Sequence, residues 1–153
     1  DGVTYPLISE DIPDDVRDEI IYRIEEIFGK QVDNHLMFIR RSPEGVYCPH
    51  KVHSDASMGD YSLMLYLTDN SNAGTSMMMH KKTGIAYNPE LEEFVDIIVR
   101  DQYNDDEWEE TDFVEMKANR AFIFRSDALH RAEPVGGFGQ GKEARTVLTC
   151  FFS

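Results

Sequence analysis

Apolar positions along the chain recur with two different periods. Val16, Ile20, Ile24 and Ile27 stand four, four and three apart, the spacing of one helical stripe, and predict a helix over 13–28. Pro13 suits a first turn, Asp11, Asp14 and Asp15 suit a helix start, and Gly29 a stop. Leu91, Phe94, Val95 and Ile98 give a second stripe, predicting a helix over 89–100. Elsewhere the apolar runs are short. Strands are expected over 36–40, 61–68, 76–80, 113–116, 120–124 and 146–152. The run Asp69-Asn70-Ser71-Asn72-Ala73-Gly74 reads as a turn, 41–51 as a loop with Pro43, Gly45 and Pro49, and 101–112 as an acidic loop carrying Trp108. Residues 1–12 read as an irregular lead-in. No repeat or linker interrupts the pattern, so one domain over 1–153 is expected. Several short strands after one N-terminal helix point to a mainly β protein with flanking helices. The expected core is a double-stranded β-helix, a jelly roll of cupin-like kind, with the 13–28 helix as its support.

Composition narrows the partners. The 153 residues suffice for one domain with a real core. Acidic residues number 29 against 15 basic ones, a net charge of −14. No clustered Lys and Arg track a phosphate backbone, which disfavours duplex nucleic acid and anionic membrane. The same field favours a cationic or neutral small-molecule or peptide substrate. No apolar stretch approaches the ~20 residues of a membrane helix. The chain opens at Asp1 and not at Met, which leaves room for an upstream segment and weakens any inference from the lack of a signal peptide. Cys48 and Cys150 make neither a disulfide framework nor a CxxC site. A reducing, cytoplasmic compartment is the expectation, with a single bridge left open. The oligomeric state is not legible.

The candidate chemistry lies in Val52-His53-Ser54-Asp55 and Ala128-Leu129-His130. Two imidazoles and a carboxylate are the ligand set that holds non-haem Fe(II) on one face and leaves other positions open. His53 and Asp55, at i and i+2, point to the same side of an extended backbone. His130 must then come from another strand, and the run Ala121-Phe122-Ile123-Phe124 can deliver it through Arg125-Ser126-Asp127. Alone, a His and an Asp two apart are more often a surface pair. The surrounding order changes that. After His53 and Asp55 come a small polar loop with Gly59, an apolar strand and Tyr66-Leu67-Thr68-Asp69; after His130 comes Arg145, opening Arg145-Thr146-Val147-Leu148-Thr149-Cys150-Phe151-Phe152. This order resembles the 2-oxoglutarate/Fe(II)-dependent dioxygenases, most closely their prolyl-4-hydroxylase-like branch. The resemblance covers roughly 36–80 and 111–153.

The resemblance implies Fe(II) at His53, Asp55 and His130, with 2-oxoglutarate as cosubstrate and ascorbate admitted as an addition. It implies hydroxylation of an unidentified substrate, with release of succinate and CO2. In that family an arginine soon after the second histidine binds the far carboxylate of the cosubstrate, and Arg145 matches by position. A buried carboxylate needs such a countercharge. Alternation places Arg145, Val147, Thr149 and Phe151 on one strand face. Arg131, Lys142 and Arg125 compete for the role, and the glycine-rich 136–141 insertion lengthens the interval from His130 to Arg145. Tyr66 takes the position of a tyrosine that bonds the same carboxylate, and Thr149 that of a pocket hydroxyl. Family halogenases lack the ligand carboxylate, and Asp55 is present here.

Other features have plainer readings. His50 is a rival ligand on an odd offset, His80 could face the same cavity, and His35 has no partner in view. Met77-Met78-Met79 reads as core filling. The acidic run 104–110 lacks the spacing and central Gly of an EF-hand, and the 136–141 glycines do not fit a dinucleotide loop. Loops 41–52, 81–88 and 101–112 are expected to face substrate. Two other classes stay open: a cupin-like metal protein that ignores 2-oxoglutarate, and a catalytically silent jelly-roll binding module.

Overall fold

In the computed structural model of the protein, residues 7–46 and 51–153 are described. They form a mainly β protein with two helices and two antiparallel sheets. The first helix, α1 (Asp14–Phe28), follows Pro13 and ends at Gly29, whose backbone takes the left-handed conformation (φ 67°) and donates its N–H to Glu25 O at 2.8 Å. Its buried face differs from the expected stripe. Ile24 is fully buried and Ile20, Ile21 and Phe28 pack beside it, whereas Val16 and Ile27 are 40 % and 71 % exposed. Two apolar rows run along this helix. The sheet takes the row that ends in Phe28, whose ring lies 4.8 Å from Tyr61 and 5.5 Å from Phe152.

The larger sheet has the order β1 (Ile8–Ser9), β2 (His35–Ser42), β8 (Arg145–Phe152), β3 (Tyr61–Tyr66), β6 (Ala121–Arg125). β8 is central and buried along its whole length. One face of the sheet, with Met37, Leu63, Leu148, Cys150 and Phe152, packs on α1. Burial there pushes the Cys150 thiol up to about 12, so this cysteine is an inert core residue. Cys48 and His50 lie outside the described residues. The other face carries Tyr66 and Val147 toward Ala73 and Met116 of the second sheet.

That second sheet has the order β5 (Trp108–Met116), β4 (Asn70–His80), β7 (His130–Glu133). Two expectations are corrected here. The turn-rich 69–74 stretch is largely strand: β4 starts at Asn70, and its polar residues accommodate a register shift between Asn70 and Gly74. The acidic loop is also strand from Trp108 onward. Trp108 is buried and opens β5, while its charged residues face water on a sheet edge, where charge blocks unwanted pairing. The second helix, α2 (Glu92–Asp101), sets Ile98 against Val52, Met78, Trp108 and Leu129 on the side of the smaller sheet away from the larger one. Its N-terminal Leu91 is exposed instead of joining the stripe. Among the described residues no helix is long and apolar enough to cross a membrane.

Candidate metal centre

The two predicted segments meet where β7 begins. His53 and His130 form a reciprocal backbone pair: His53 N–H donates to His130 O at 3.0 Å, and His130 N–H to His53 O at 2.9 Å. The turn after β6 delivers His130 as expected, and it also holds the carboxylate segment. Asp55 N–H donates to Ser126 O at 2.7 Å, while the Ser126 hydroxyl meets that of Ser62 at 2.8 Å. His53, Asp55 and His130 each bring one ligand atom into a group spanning no more than 4.8 Å, a group that could hold a metal ion.

Ring orientation is fixed from behind. His53 Nδ1 lies 2.8 Å from Lys51 O and His130 Nδ1 2.9 Å from Ala128 O. A carbonyl only accepts, so each Nδ1 carries the proton and a neutral ring presents its Nε2 lone pair forward. His130 Nε2 faces Asp55 Oδ2 at 3.2 Å, and His53 Nε2 faces Asp55 Oδ1 at 3.7 Å. With neutral rings these are lone pairs confronting an anion. A cation among the three relieves that confrontation, whether it is a proton or a metal. Two donors bound to one ion at right angles lie about 3 Å apart for bonds near 2.1 Å, close to the separation seen.

At His53 the electrostatics disfavour the proton. Desolvation first, then the neighbouring His130, lower His53 to about 4 against the raising effect of Asp55. Solvent reaches 33 % of the His53 side chain and tempers the depression. Burial pushes the Asp55 carboxyl up, but the Nε2–H that His130 presents when its ring is charged, together with the charges of protonated His53 and His130 and of Arg40, outweighs it and holds Asp55 below the usual carboxylate range. A neutral imidazole beside an ionised carboxylate is the state a divalent ion requires. Phe124 stands edge-on to the His130 ring at 4.8 Å and walls it on one side.

The remaining expected residues line the space between the sheets. Arg145 opens β8, is 4 % exposed, and donates from Nη2 to Gly74 O at 3.3 Å. Tyr66 is fully buried; its hydroxyl donates to Val114 O at 3.0 Å and meets Thr75 Oγ1 at 2.8 Å. Burial raises the Tyr66 phenol, and the Thr75 hydrogen bond and the charge of Arg145 partly offset that, which makes Arg145 and Tyr66 electrostatic neighbours. Thr149 donates to Met64 Sδ at 3.3 Å. The competing cations go elsewhere: Arg131 pairs with Asp105 and with Glu133, Arg125 stacks on Tyr87, and Lys142 is exposed.

Sequence reasoning missed Arg40. It lies on β2 next to β8, and its charge acts on both His53 and Asp55. Its signal was masked because Leu36, Met37, Phe38 and Ile39 are apolar on both faces, so alternation did not single out Arg40. His80 is a correction. It does not join the triad: on the helix-covered side of the smaller sheet its Nε2 lies 3.0 Å from Asp101 Oδ2 and its Nδ1 2.9 Å from Thr83 Oγ1. Arg100 binds Asp101 through two bonds of 2.8 and 2.7 Å, and Trp108 Nε1 donates to Asp101 O at 2.9 Å. His80, Asp101 and Glu107 also form a compact group of potential ligands, but both His80 nitrogens and both Asp101 oxygens already have hydrogen-bond partners. The lid expectation shifts as well. Residues 101–112 are 3-10 turn and strand, whereas a cleft of about 340 Å³ opens beside Ala56, Asp60 and Tyr61 just after Asp55, with Arg125 and Asp127 opposite.

Comparison of the chain with known protein families finds no matching family, and no curated protein matches it. The residues and their geometry therefore carry the functional reading.

Proposed function

We propose that the protein is an Fe(II)- and 2-oxoglutarate-dependent oxygenase that hydroxylates a substrate C–H bond, on a jelly-roll core. The observation that carries this is the convergence of His53 Nε2, His130 Nε2 and an Asp55 oxygen, with both Nδ1 protons committed to carbonyls. The sheet orders support the jelly roll. From β2 onward the chain visits the larger sheet, crosses at His53 to bridge β7, returns for β3, makes β4 and β5 in the smaller sheet, then alternates through β6, β7 and β8. Such winding groups His53, Asp55 and His130, while Arg145 bonds Gly74, three residues along β4 from Met77, the partner of His130.

Fe(II) with 2-oxoglutarate and O2 would supply the oxidising chemistry, with succinate and CO2 as coproducts. The chain's own residues do the rest. His53, Asp55 and His130 would hold the metal from one side and leave the other open. Arg145, buried between the sheets near Tyr66, offers a guanidinium fork for the far carboxylate of the cosubstrate. Val147, Phe122 and Met64 give that end an apolar wall, which strengthens a charge pair by excluding water. The acidic surface favours a cationic or neutral substrate.

Succinate formation tests the reading. Wild type with Fe(II), 2-oxoglutarate and a panel of amines, amino acids and basic peptides should form succinate, and His130→Ala should not. Tight metal binding with no affinity for 2-oxoglutarate would replace this reading with a cupin-like metal protein.

A further inference from the structure

Arg40 is the strongest feature the foregoing account leaves without a task. On β2 it pairs in register with Val147, whereas Ser42 pairs with Arg145 and Phe38 with Thr149. It therefore projects from the same sheet face as Arg145, Val147 and Thr149, since Met37 and Ile39 point to α1. Its Nε and Nη2 are buried. Two residues of register, about 7 Å of strand rise, separate the level of Arg40 from that of Arg145, and Arg40 is the one whose charge is felt by His53 and Asp55.

Two guanidinium groups thus share one interior sheet face at two levels, and the charge of Arg40 reaches the triad. A guanidinium stays charged at any pH the protein meets. A divalent ion at the triad would add a positive centre to the interior that Arg40 faces. An anion placed between the metal and Arg40 relieves that repulsion, and a carboxylate fits the planar fork of arginine best. We propose that Arg40 is a second carboxylate-binding residue of the site: it holds the carboxylate at the metal end of the 2-oxo acid, while Arg145 holds the far one. This rests on the oxygenase reading and deepens it. The pocket reads both ends of a dicarboxylate, and the two ends are read by different strands.

The test uses the full chain loaded with Mn(II) and two probes. One is 2-oxoglutarate. The other is 2-oxobutyrate, which keeps the 2-oxo acid end and lacks the far carboxylate. Dissociation constants are measured by calorimetry for wild type, Arg40→Gln, Arg40→Lys and Arg145→Gln, with thermal melts to verify folding. Arg40→Gln should weaken both acids by about tenfold or more, and Arg145→Gln should weaken 2-oxoglutarate alone. With no acid present, Arg40→Gln should bind Mn(II) at least as tightly as wild type, because a cation near the metal has been removed. A merely structural arginine would weaken metal and acids together. Should Arg40→Gln fail to fold, Arg40→Lys carries the test: it keeps the charge, loses the fork, and should weaken both acids to a smaller degree. Unchanged affinity for 2-oxobutyrate in the folded Arg40 variants, or weakened Mn(II) binding, overturns the assignment. If wild type binds 2-oxoglutarate and only Arg145→Gln loses it, Arg40 falls alone. If wild type binds no 2-oxoglutarate, the oxygenase reading falls with it.

Discussion

Gly74 ties the smaller sheet to the floor of the proposed pocket, and adding one methyl there tests that connection. Gly74 lies in β4 between Glu115 of β5 and Glu133 of β7, and its carbonyl accepts from Arg145. A Cβ at this position would stand 2.1 Å from Val114 O, against an ordinary contact of at least 3.4 Å. The obstacle is backbone, held in the sheet, and cannot rotate aside as a side chain can. Phe113, 2.8 Å from the same point, could move. Gly74→Ala must therefore push β4 and β5 apart locally or break a ladder bond. Overpacking of this kind costs about 1–3 kcal/mol, and rigid backbone places the loss toward the upper end. For a chain of this length each kcal/mol lowers Tm by roughly 2–4 °C, so a fall of about 5–10 °C is expected. Gly45→Ala is the comparison. It has open space around it but a φ of +82°, so only the backbone penalty of about 1 kcal/mol applies. Circular-dichroism melts of the metal-free proteins read both. If Gly74→Ala melts within a degree of wild type, or above Gly45→Ala, the close approach of β4 to β5 argued here is wrong.

Two further perturbations separate support from site. Ile24→Ala empties a fully buried position between α1 and the larger sheet and should cost about 2–5 kcal/mol by urea unfolding, with metal affinity unchanged; a loss under about 1 kcal/mol would mean that α1 is only loosely docked. The pH dependence of metal-free stability should carry the mark of His53, whose folded value falls from 6.5 to about 4. The unfolded chain then takes up the proton first, so the contribution of neutral His53 is complete above 6.5 and is lost as pH falls toward 4. The urea midpoint of His53→Gln should gain on wild type between pH 7 and pH 5, and parallel behaviour of the two proteins would contradict the depression.

Much of the fold was legible because burial writes a period into the sequence. The 61–68 and 146–152 runs announced β3 and β8, and alternation along β8 placed Arg145, Val147 and Thr149 on one face. What failed did so for physical reasons. Asn70 to Gly74 has turn chemistry but bulges inside a strand, and the acids of β5 are polar because the strand is an edge. β7 is only four residues long, too short to show a period. In α1 two apolar rows compete, and only the aromatic contacts of Phe28 decide between them. The triad was legible because two ligands lie at i and i+2 and the third ends an apolar run. Arg40 was not, because its strand is apolar on both faces, and the partner of His80, Asp101, comes from a helix packed on the opposite side of the sheet.

Anaerobic Fe(II) titration tests the metal centre most directly. Wild type should bind one ion per chain, since the second group of potential ligands is already committed to Arg100 and Thr83. His53→Ala, Asp55→Ala and His130→Ala should each lose most of that affinity while keeping the wild-type far-ultraviolet spectrum, and Asp101→Asn should keep it. Tight binding retained in all three triad variants, or abolished by Asp101→Asn alone, would contradict the account.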